Sequence, residues 1–251
     1  MITNSLPETW RDLQNKVGDI LEKCGFQVEV EKILKSVRGK VEIDVYAEEN
    51  VKGRKYSIIC ECKHWKSNIP QNIIHGFRTV TNDLGANIGI IITTSDFQSG
   101  SIESANLTNI KLLSWQSFQN EFFESWYSKY FYKTMNISHS VGKDYNIVEW
   151  FDDLNKDDRS KYYSVRNILN ELSHVQGFFP MSFLLEMENY KYEFPILPLE
   201  NKLVNLDEYY GDLPLDIFKA SDYEVFLKIF TELGRNAVKE FKELDEKYKY
   251  D

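Results

Sequence analysis

The sequence predicts an α/β fold in which a mixed sheet is flanked by helices, followed by a mostly helical C-terminal domain. Over the first 133 residues the patterns run helix, strand, strand, strand, helix, strand, helix, strand, helix, which is typical of a sheet covered by helices. Beyond them, helical patterns surround an irregular segment that contains Pro180, Pro195, Pro198 and Pro214. We therefore expect one domain over residues 1–133 and a second over residues 134–251.

The first domain opens with a helix and three strands. Pro7–Lys23 carries apolar residues at helical spacing, and Cys24-Gly25 ends that pattern. Apolar residues that alternate with polar or larger ones then predict strands. These strands are Phe26–Ile33, Val41–Tyr46 and Tyr56–Lys63, with a basic loop at Ser36–Lys40 and a short polar loop around Gly53.

The rest of this domain alternates helices with strands. Pro70 opens a helix whose apolar stripe ends at Gly85. Ile88–Thr93 is a continuous apolar run, as expected of a strand that is covered on both faces. The next patterns predict a short helix, a strand and a long aromatic-rich helix, over Ser99–Leu107, Ile110–Leu113 and Trp115–Tyr132. In the second domain the strongest helical patterns are Arg159–Leu172 and Tyr223–Tyr248.

Charge is distributed unevenly along the chain. The net charge is -9, yet residues 1–120 contain 14 basic and 14 acidic residues. The remaining residues therefore account for the whole excess of acid. An acidic surface repels nucleic acid. If the protein binds DNA, we expect the first domain to make the contact, and the acidic, aromatic-rich second domain to meet a protein instead.

Cysteine usage and hydrophobicity indicate the compartment. The three cysteines Cys24, Cys60 and Cys62 form no disulfide framework, and we interpret them as small buried residues. The N-terminus lacks a basic region followed by an apolar run. No apolar stretch approaches the roughly 20 residues of a membrane span. We expect a cytoplasmic protein that is not associated with a membrane.

Two carboxylates and one ammonium group converge on the second and third predicted strands. Glu61 and Lys63 lie two residues apart and so share one strand face, and Asp44 lies on the strand expected beside them. Asp44, Glu61 and the backbone carbonyl of Cys62 could supply oxygen ligands to a hard divalent ion such as Mg²⁺. Lys63 would then stabilise charge on a phosphate. From spacing alone, however, a surface ion pair is the simpler explanation of Glu61 and Lys63.

Several motifs, in a fixed order, resemble the catalytic domain of Mrr-type restriction endonucleases, which belong to the PD-(D/E)xK nuclease superfamily. These motifs are Ile43-Asp44-Val45, Ile59-Cys60-Glu61-Cys62-Lys63-His64-Trp65, Gly89–Thr93 and Phe97–Gly100. The resemblance extends over about residues 10–115. It implies a restriction-endonuclease-like α/β core, DNA as the substrate, and Mg²⁺ or Mn²⁺ as the cofactor. It also implies that Asp44 and Glu61 bind the metal and that Lys63 is the catalytic lysine.

The chain departs from the family pattern at two positions near this triad. Ile43 stands where many relatives have proline. Many relatives also carry a glutamate on the first helix, where this chain has Gln14, unless Asp12 or Glu22 takes that role. Gln71, at the start of the next helix, is either an active-site neighbour or an ordinary helix-start residue.

Four further residues are candidates for contacts with DNA phosphates. Arg38 and Lys40 lie in the basic loop before the second strand, which could equally be a solvated turn. Ser99 and Gly100 begin a helix, where backbone N–H groups suit an anion, although ordinary capping explains the same residues.

The residues and the resemblance together predict a metal-dependent DNA endonuclease that is controlled by its C-terminal region or by a partner. The resemblance further implies that it is a restriction or phage-defence effector. Oligomerisation or protein binding through residues 134–251 would fit their acidity and aromatic content. Two active sites would allow a double-strand break. The alternative is a catalytically silent, nuclease-like scaffold that binds nucleic acid or protein.

Overall fold

The protein consists of two compact units. The computed structural model describes residues 1–138, 148–187, 191–203 and 205–248. One unit, here called the N-terminal unit, contains Met1 and Ser5–Lys129. The C-terminal unit contains Ile2–Asn4 and the described residues from Tyr130 onward.

The N-terminal unit is built on a mixed sheet with the strand order β1-β2-β3-β4-β5. β1, β2 and β3 are antiparallel neighbours, whereas β3, β4 and β5 run parallel. This architecture confirms the predicted fold class. In chain order the elements are α1 (Trp10–Lys23), β1 (Gln27–Ser36), β2 (Gly39–Val51), β3 (Arg54–Lys63), α2 (Gln71–Leu84), β4 (Ile88–Thr93), α3 (Ser99–Ala105), β5 (Ile110–Ser114) and α4 (Trp115–Trp126).

Helices cover both faces of this sheet. Apolar residues of α2 pack on one face around Ile59, Phe77 and Ile91, which are all buried. Gly89 allows this close approach, because a Cβ atom there would lie 2.5 Å from the Thr81 Oγ1 atom. On α1, a Cβ atom at Gly18 would lie 3.0 Å from Val30 of β1. The two helices thereby enclose the strands that carry the candidate residues.

Two tight turns replace the loops expected around the second strand. β2 extends to Val51, and Lys52 and Gly53 connect it to β3 with φ angles of 49° and 79°. Two consecutive positive φ angles are typical of the type I′ turns that favour tight hairpins. The predicted basic loop is likewise a turn, because Ser36 pairs with Gly39 and only Val37 and Arg38 lie between the strands.

The long aromatic-rich helix expected over Trp115–Tyr132 is not uniform. α4 ends at Trp126, and a π-helical stretch over Tyr127–Phe131 leads into α5 (Tyr132–Ser138). The change widens the hydrogen-bonding step from i→i+4 to i→i+5. Side-chain periodicity does not distinguish these two steps over so short a segment, so the sequence predicted a single helix.

The described part of the C-terminal unit is mostly helical, as expected. After α5 it contains the helices α6 (Lys156–Gln176), α7 (Leu206–Tyr209), α8 (Asp216–Lys219) and α9 (Tyr223–Tyr248), with 3₁₀ segments at Glu149–Asp153, Ser182–Glu186 and Leu199–Asn201. Its core joins α6 to α9 around Trp150, Tyr162 and Phe241. None of the helices in the described ranges is both long enough and apolar enough to cross a membrane.

Candidate active site

The candidate site lies where β2 separates from β3. Pairing between the two strands runs from Val51 and Arg54 to Val45 and Cys60, and it stops there. The pairing of β3 with β4 continues as far as Lys63. β2 meanwhile remains paired with β1. The separation opens a gap at this edge of the sheet, beside the last residues of β3.

Asp44 fills the hydrogen-bonding position that the departing strand leaves open. Its Oδ2 atom accepts a hydrogen bond from the backbone N–H of Cys62 at 2.6 Å. A side-chain carboxylate thus replaces the backbone acceptor that a continued ladder would supply. This bond fixes the Asp44 carboxylate beside the end of β3.

Glu61 and Lys63 project from the same side of β3 and form an ion pair through Oε1 and Nζ. Both side chains are largely buried, with exposed fractions of 25% and 17%. Burial raises the pKa of the Glu61 carboxyl, the negative charge of Asp44 raises it further, and Lys63 opposes both effects. The structure therefore brings all three predicted catalytic residues into electrostatic contact.

The Cys62 carbonyl, the third predicted oxygen ligand, already accepts one hydrogen bond. The indole Nε1 of Trp10, the first residue of α1, donates to it at 3.0 Å. A carbonyl oxygen has two lone pairs, so one remains for a second contact. Trp10 is one of the apolar residues at helical spacing in the predicted helix Pro7–Lys23, and that spacing does not indicate this contact with the site.

Gln14 lies one helical turn after Trp10 and therefore on the same face of α1. Its side chain is fully buried. Neither its amide nitrogen nor its amide oxygen has a hydrogen-bond partner among the described residues. A buried carboxamide without partners is costly, which marks this position as one that a ligand or water could complete.

Glu31 is an acidic residue near the site that sequence reasoning missed. It lies opposite Asp44 between the paired positions of β1 and β2, with a φ angle of 55°. Both of its carboxylate oxygens accept hydrogen bonds from Arg11, at 3.0 and 3.1 Å. The sequence of the strand does not distinguish this residue. Its left-handed backbone conformation and its position opposite Asp44 are seen only in the pairing of β1 with β2.

Gln71, Ser99 and Gly100 come together where α2 and α3 begin. The Gln71 side-chain oxygen would lie 3.3 Å from a Cβ atom at Gly100. The carbonyl of Ile69 accepts hydrogen bonds from the Gln98 N–H at 3.1 Å and from the Ser101 hydroxyl at 2.7 Å. Neither α2 nor α3 has a side-chain cap at its N-terminus. The two predicted phosphate contacts thus adjoin Gln71.

Arg38 and Lys40 lie apart from this group, at the end of the β1–β2 hairpin. The Arg38 Nε atom pairs with Asp83 Oδ2 at 2.9 Å, near the C-terminal end of α2. Twelve residues of helix, about 18 Å, separate Asp83 from Gln71. Lys40 is exposed and four residues from Asp44 along β2.

Within the described part of the chain, no three side chains of histidine, cysteine, aspartate or glutamate cluster as a ligand set for a metal. The charged part of the candidate site is therefore the pair Asp44 and Glu61, with Lys63 beside it.

Comparison with known families identifies the unit that carries this geometry. Residues 7–122 match the family model described as restriction endonuclease, the Mrr catalytic domain. Residues 7–122 form an Mrr-type restriction endonuclease domain. This confirms the predicted resemblance, which covered about residues 10–115. The Mrr-type domain is a nuclease domain that acts on DNA, and it contains Asp44, Glu61 and Lys63.

Two solved structures are similar to the chain at low identity. One is titled a crystal structure of protein of unknown function AF1548, with 16% identity, a TM-score of 0.39, and coverage of 90% of this chain and 99% of that one. The other is the DNA modification-dependent restriction endonuclease AspBHI, with 10% identity, a TM-score of 0.30, and coverage of 47% and 37%. None of the curated proteins matches the chain.

Proposed function

We propose that the Mrr-type domain is an endonuclease that hydrolyses DNA phosphodiester bonds with Mg²⁺ or Mn²⁺ as its cofactor. The observation that carries this proposal is the convergence of Asp44, Glu61 and Lys63 at the point where β2 leaves β3. Phosphodiester hydrolysis requires an activated water and positive charge near one phosphate. Two carboxylates that hold a divalent ion and an adjacent lysine meet that requirement.

The residues around the gap fit a hard divalent ion. Burial and, to a smaller extent, the negative charge of Asp44 raise the pKa of Glu61, and a cation bound between the two carboxylates would stabilise their charged forms. The Cys62 carbonyl retains a free lone pair, and Gln14 offers an amide oxygen that has no partner among the described residues. Oxygen donors of these kinds are those that Mg²⁺ and Mn²⁺ prefer.

Each residue of the site has a distinct role in this proposal. A divalent ion held by these residues would supply Lewis-acid chemistry at the site. Asp44, which the Cys62 N–H holds in place, binds the ion together with Glu61. The Nζ group of Lys63, which Glu61 holds, donates to the phosphate oxygens as negative charge develops on them. Trp10 fixes the direction of the Cys62 carbonyl.

Phosphates beyond the scissile one would contact the helix starts and the hairpin. The uncapped beginnings of α2 and α3 leave backbone N–H groups around Gln71, Ser99 and Gly100 for an anion. Lys40 is exposed, so it is free to contact a phosphate. Arg38 would do so only by sharing or exchanging its partner Asp83.

The C-terminal region, in this proposal, controls the nuclease as part of a restriction or phage-defence system, through self-association or a protein partner. Its acidity opposes direct DNA binding. Near its second 3₁₀ segment it exposes several large apolar side chains, of a kind that marks protein interfaces. These residues are Phe178, Met181, Phe183 and Met187. If they form such an interface, Phe183→Asp lowers the molar mass or partner content that light scattering detects, and an unchanged mass contradicts it.

Covalently closed plasmid DNA tests the catalytic proposal. The purified protein is expected to nick or linearise it with Mg²⁺ or Mn²⁺ and not with chelator, and a closed circle excludes exonuclease activity as the cause. If the purified protein does not cleave the plasmid but its complex isolated from cells does, the nuclease requires a partner for activity, as the proposal allows. Silence in both would favour the alternative, a nuclease-like scaffold without catalysis.

A further inference from the structure

The end of the β1–β2 hairpin is a two-stranded ribbon that β3 does not pair with. β1 and β2 remain paired from Lys32 and Ile43 to Ser36 and Gly39, a region in which β2 has no pairing with β3. We call the segment 32–43 the ribbon. The Ser36 hydroxyl donates to the Gly39 carbonyl at 3.0 Å and accepts from the Arg38 N–H at 3.2 Å, which closes the turn.

The ribbon is held in place on one side and exposed on the other. Leu34 and Val41 on its inner face pack against the core beneath α2. Arg38 and Asp83 brace its tip through their ion pair. The outer face and tip, in contrast, leave Ile33 64% exposed and Val37 80% exposed. An apolar tip on a braced hairpin is costly in water, which suggests that another molecule covers it.

A pair of lysines identifies the chemistry of that molecule. Lys35 and Lys40 lie directly opposite each other on the exposed side of the ribbon. Like charges at directly opposed positions destabilise a hairpin. Neither lysine forms an ion pair with any residue that the structure describes. Segment 35–40 carries three basic residues and no acidic one. Arg38 is paired with Asp83, and Glu42 lies opposite Ile33, which leaves Lys35 and Lys40 as the charges of the tip that are unpaired among the described residues. The ribbon tip is therefore a site for a polyanion.

We propose that the ribbon enters the major groove of duplex DNA, with Val37 against the base edges and Lys35 and Lys40 on the flanking phosphates. The inference rests on the proposed function and specifies how the substrate is held. The major groove is about 12 Å wide and admits a two-stranded ribbon, whereas the minor groove is about 6 Å wide. Apolar side chains such as valine suit the thymine methyl groups that line the major groove.

The position of the ribbon fits a duplex that also reaches the active site. Lys40 and Asp44 are separated by four residues of strand, which span at most about 13 Å. Half a helical turn of DNA is about 17 Å. One duplex can therefore contact the ribbon tip while a phosphate within half a turn lies at Asp44.

Fluorescence anisotropy with the full-length protein tests this inference. A labelled 30-base-pair duplex, in chelator to prevent cleavage, is titrated at several salt concentrations. The double variant Lys35→Ala/Lys40→Ala is expected to bind about tenfold more weakly or worse, and its log–log salt slope should fall by about two. Val37→Ser should weaken binding several-fold without changing the salt slope. Methyl green, a dye that occupies the major groove, should compete with the wild type.

The other hairpin of β2 provides matched controls, since Val51 and Lys52 are exposed at the opposite end of the same strand. Val51→Ser and Lys52→Ala should bind as the wild type does. If the ribbon variants bind duplex DNA with the affinity and the salt slope of the wild type, the inference is overturned. It is also overturned if methyl green does not change the binding of the wild type to the duplex. Binding of the ribbon to a protein partner, with no affinity for duplex DNA, would overturn it as well.

The same variants separate this inference from the proposed function. If DNA binding depends on the ribbon but the plasmid is never cut, the proposed role of the ribbon is supported and the proposed catalytic function is contradicted. If the plasmid is cut with Mg²⁺ or Mn²⁺ and the ribbon variants bind and cut DNA as the wild type does, the proposed nuclease function is supported and the proposed role of the ribbon is contradicted. Circular dichroism and thermal unfolding of each variant show whether a loss of binding reflects loss of the fold.

Discussion

Asp44 has two interactions at the residue scale that chemically different substitutions can separate. Its carboxylate oxygen accepts the Cys62 N–H, and its charge raises the pKa of Glu61. The first interaction requires only an oxygen acceptor, whereas binding a cation requires the charge. Stability and catalysis at this position therefore depend on different properties of one side chain.

The variants Asp44→Asn and Asp44→Ala should therefore differ in stability, whereas both should be nearly inactive. Asp44→Ala leaves a buried N–H without its partner and should lower the free energy of unfolding by about 1–3 kcal/mol. Asp44→Asn keeps an oxygen acceptor and should retain most of that stability. Both should lose at least about a hundredfold in cleavage rate. Urea denaturation and plasmid cleavage measure the two effects, and equal stability of the two variants would contradict the role of the hydrogen bond.

At Gln14, we expect one substitution to raise the stability of the protein and to weaken its binding of the ion. Gln14→Leu removes a buried amide without a partner, so the free energy of unfolding should rise by about 1–3 kcal/mol. The same change should reduce the increase in melting temperature that Mn²⁺ produces, because one oxygen donor is lost. Gln116→Leu, at an exposed position of α4, is the control. A lower free energy of unfolding in Gln14→Leu would contradict the expected gain in stability. A wild-type rise in melting temperature with Mn²⁺ would contradict the proposed role of Gln14 as an oxygen donor.

At the element scale, the position of Gln71 depends on how closely α2 packs on the sheet. α2 extends from Gln71 to Leu84, and its buried face lies over Gly89 of β4. Any displacement of this helix also displaces Gln71 relative to Gly100. The glycines of the helix and the strand offer a direct test of that packing.

Gly89→Ala and Gly76→Ala should change stability in opposite directions. A Cβ atom at position 89 would lie 2.5 Å from Thr81 Oγ1 and 2.8 Å from Ile110 Cδ1, so overpacking should cost about 1–3 kcal/mol. Gly76 lies on the exposed side of α2 with no atom within 4 Å of its added Cβ. Alanine there should stabilise the protein by about 0.5–1 kcal/mol. Thermal unfolding measures both, and a neutral Gly89→Ala would contradict the packing.

Local patterns predicted the elements whose boundaries depend on single residues. Pro70 and Gly85 delimit α2 as expected, because Pro70 suits a helix start and Gly85 adopts a left-handed φ of 64°. The apolar run of β4 was likewise predicted over its full length. The Asp44, Glu61 and Lys63 constellation could be predicted because the three residues lie on two strands joined by a short connection.

Features that depend on tertiary register could not be predicted in this way. The separation of β2 from β3 at Asp44 appears only in the pairing of three strands. The donation from Trp10 to Cys62 joins residues 52 positions apart, and the apolar spacing of α1 gives no sign of it. The end of the ribbon, Ser36–Lys40, was expected as a loop, because the turn at Val37 and Arg38 lacks the Asn-Gly or Asp-Gly pair that signals a tight hairpin.

At the scale of the whole molecule, the chemistry is concentrated in the N-terminal unit and the excess of acid in the C-terminal region. The N-terminal unit also contains all three cysteines of the chain, and each of them is buried. Burial raises the pKa of Cys24 from an ordinary 9.0 to about 12. Thiol chemistry therefore reports on the N-terminal unit alone.

Iodoacetamide should label the native protein slowly at pH 8.5 and rapidly once urea unfolds the N-terminal unit. The unfolded Cys24 thiol ionises near pH 9.0, whereas the folded one ionises only near 12. The unfolded state consequently loses its proton first, so the Cys24 contribution to the free energy of unfolding falls as the pH rises above about 9. Mass spectrometry counts the labelled thiols. Rapid labelling of the native protein would contradict the burial of these cysteines.

In the proposed function Lys63 acts with Asp44 and Glu61 in a metal-dependent nuclease site, and a comparison of two lysine variants tests this role. Lys63→Ala and Lys66→Ala remove lysines three positions apart, the first within the site and the second exposed to solvent. Cleavage of closed plasmid by each is measured with Mg²⁺ or Mn²⁺ and with chelator. We expect ion-dependent cleavage by the wild type and by Lys66→Ala, and a cleavage rate at least about a hundredfold lower for Lys63→Ala. Undiminished cutting by Lys63→Ala, or equal cutting in chelator, would contradict it.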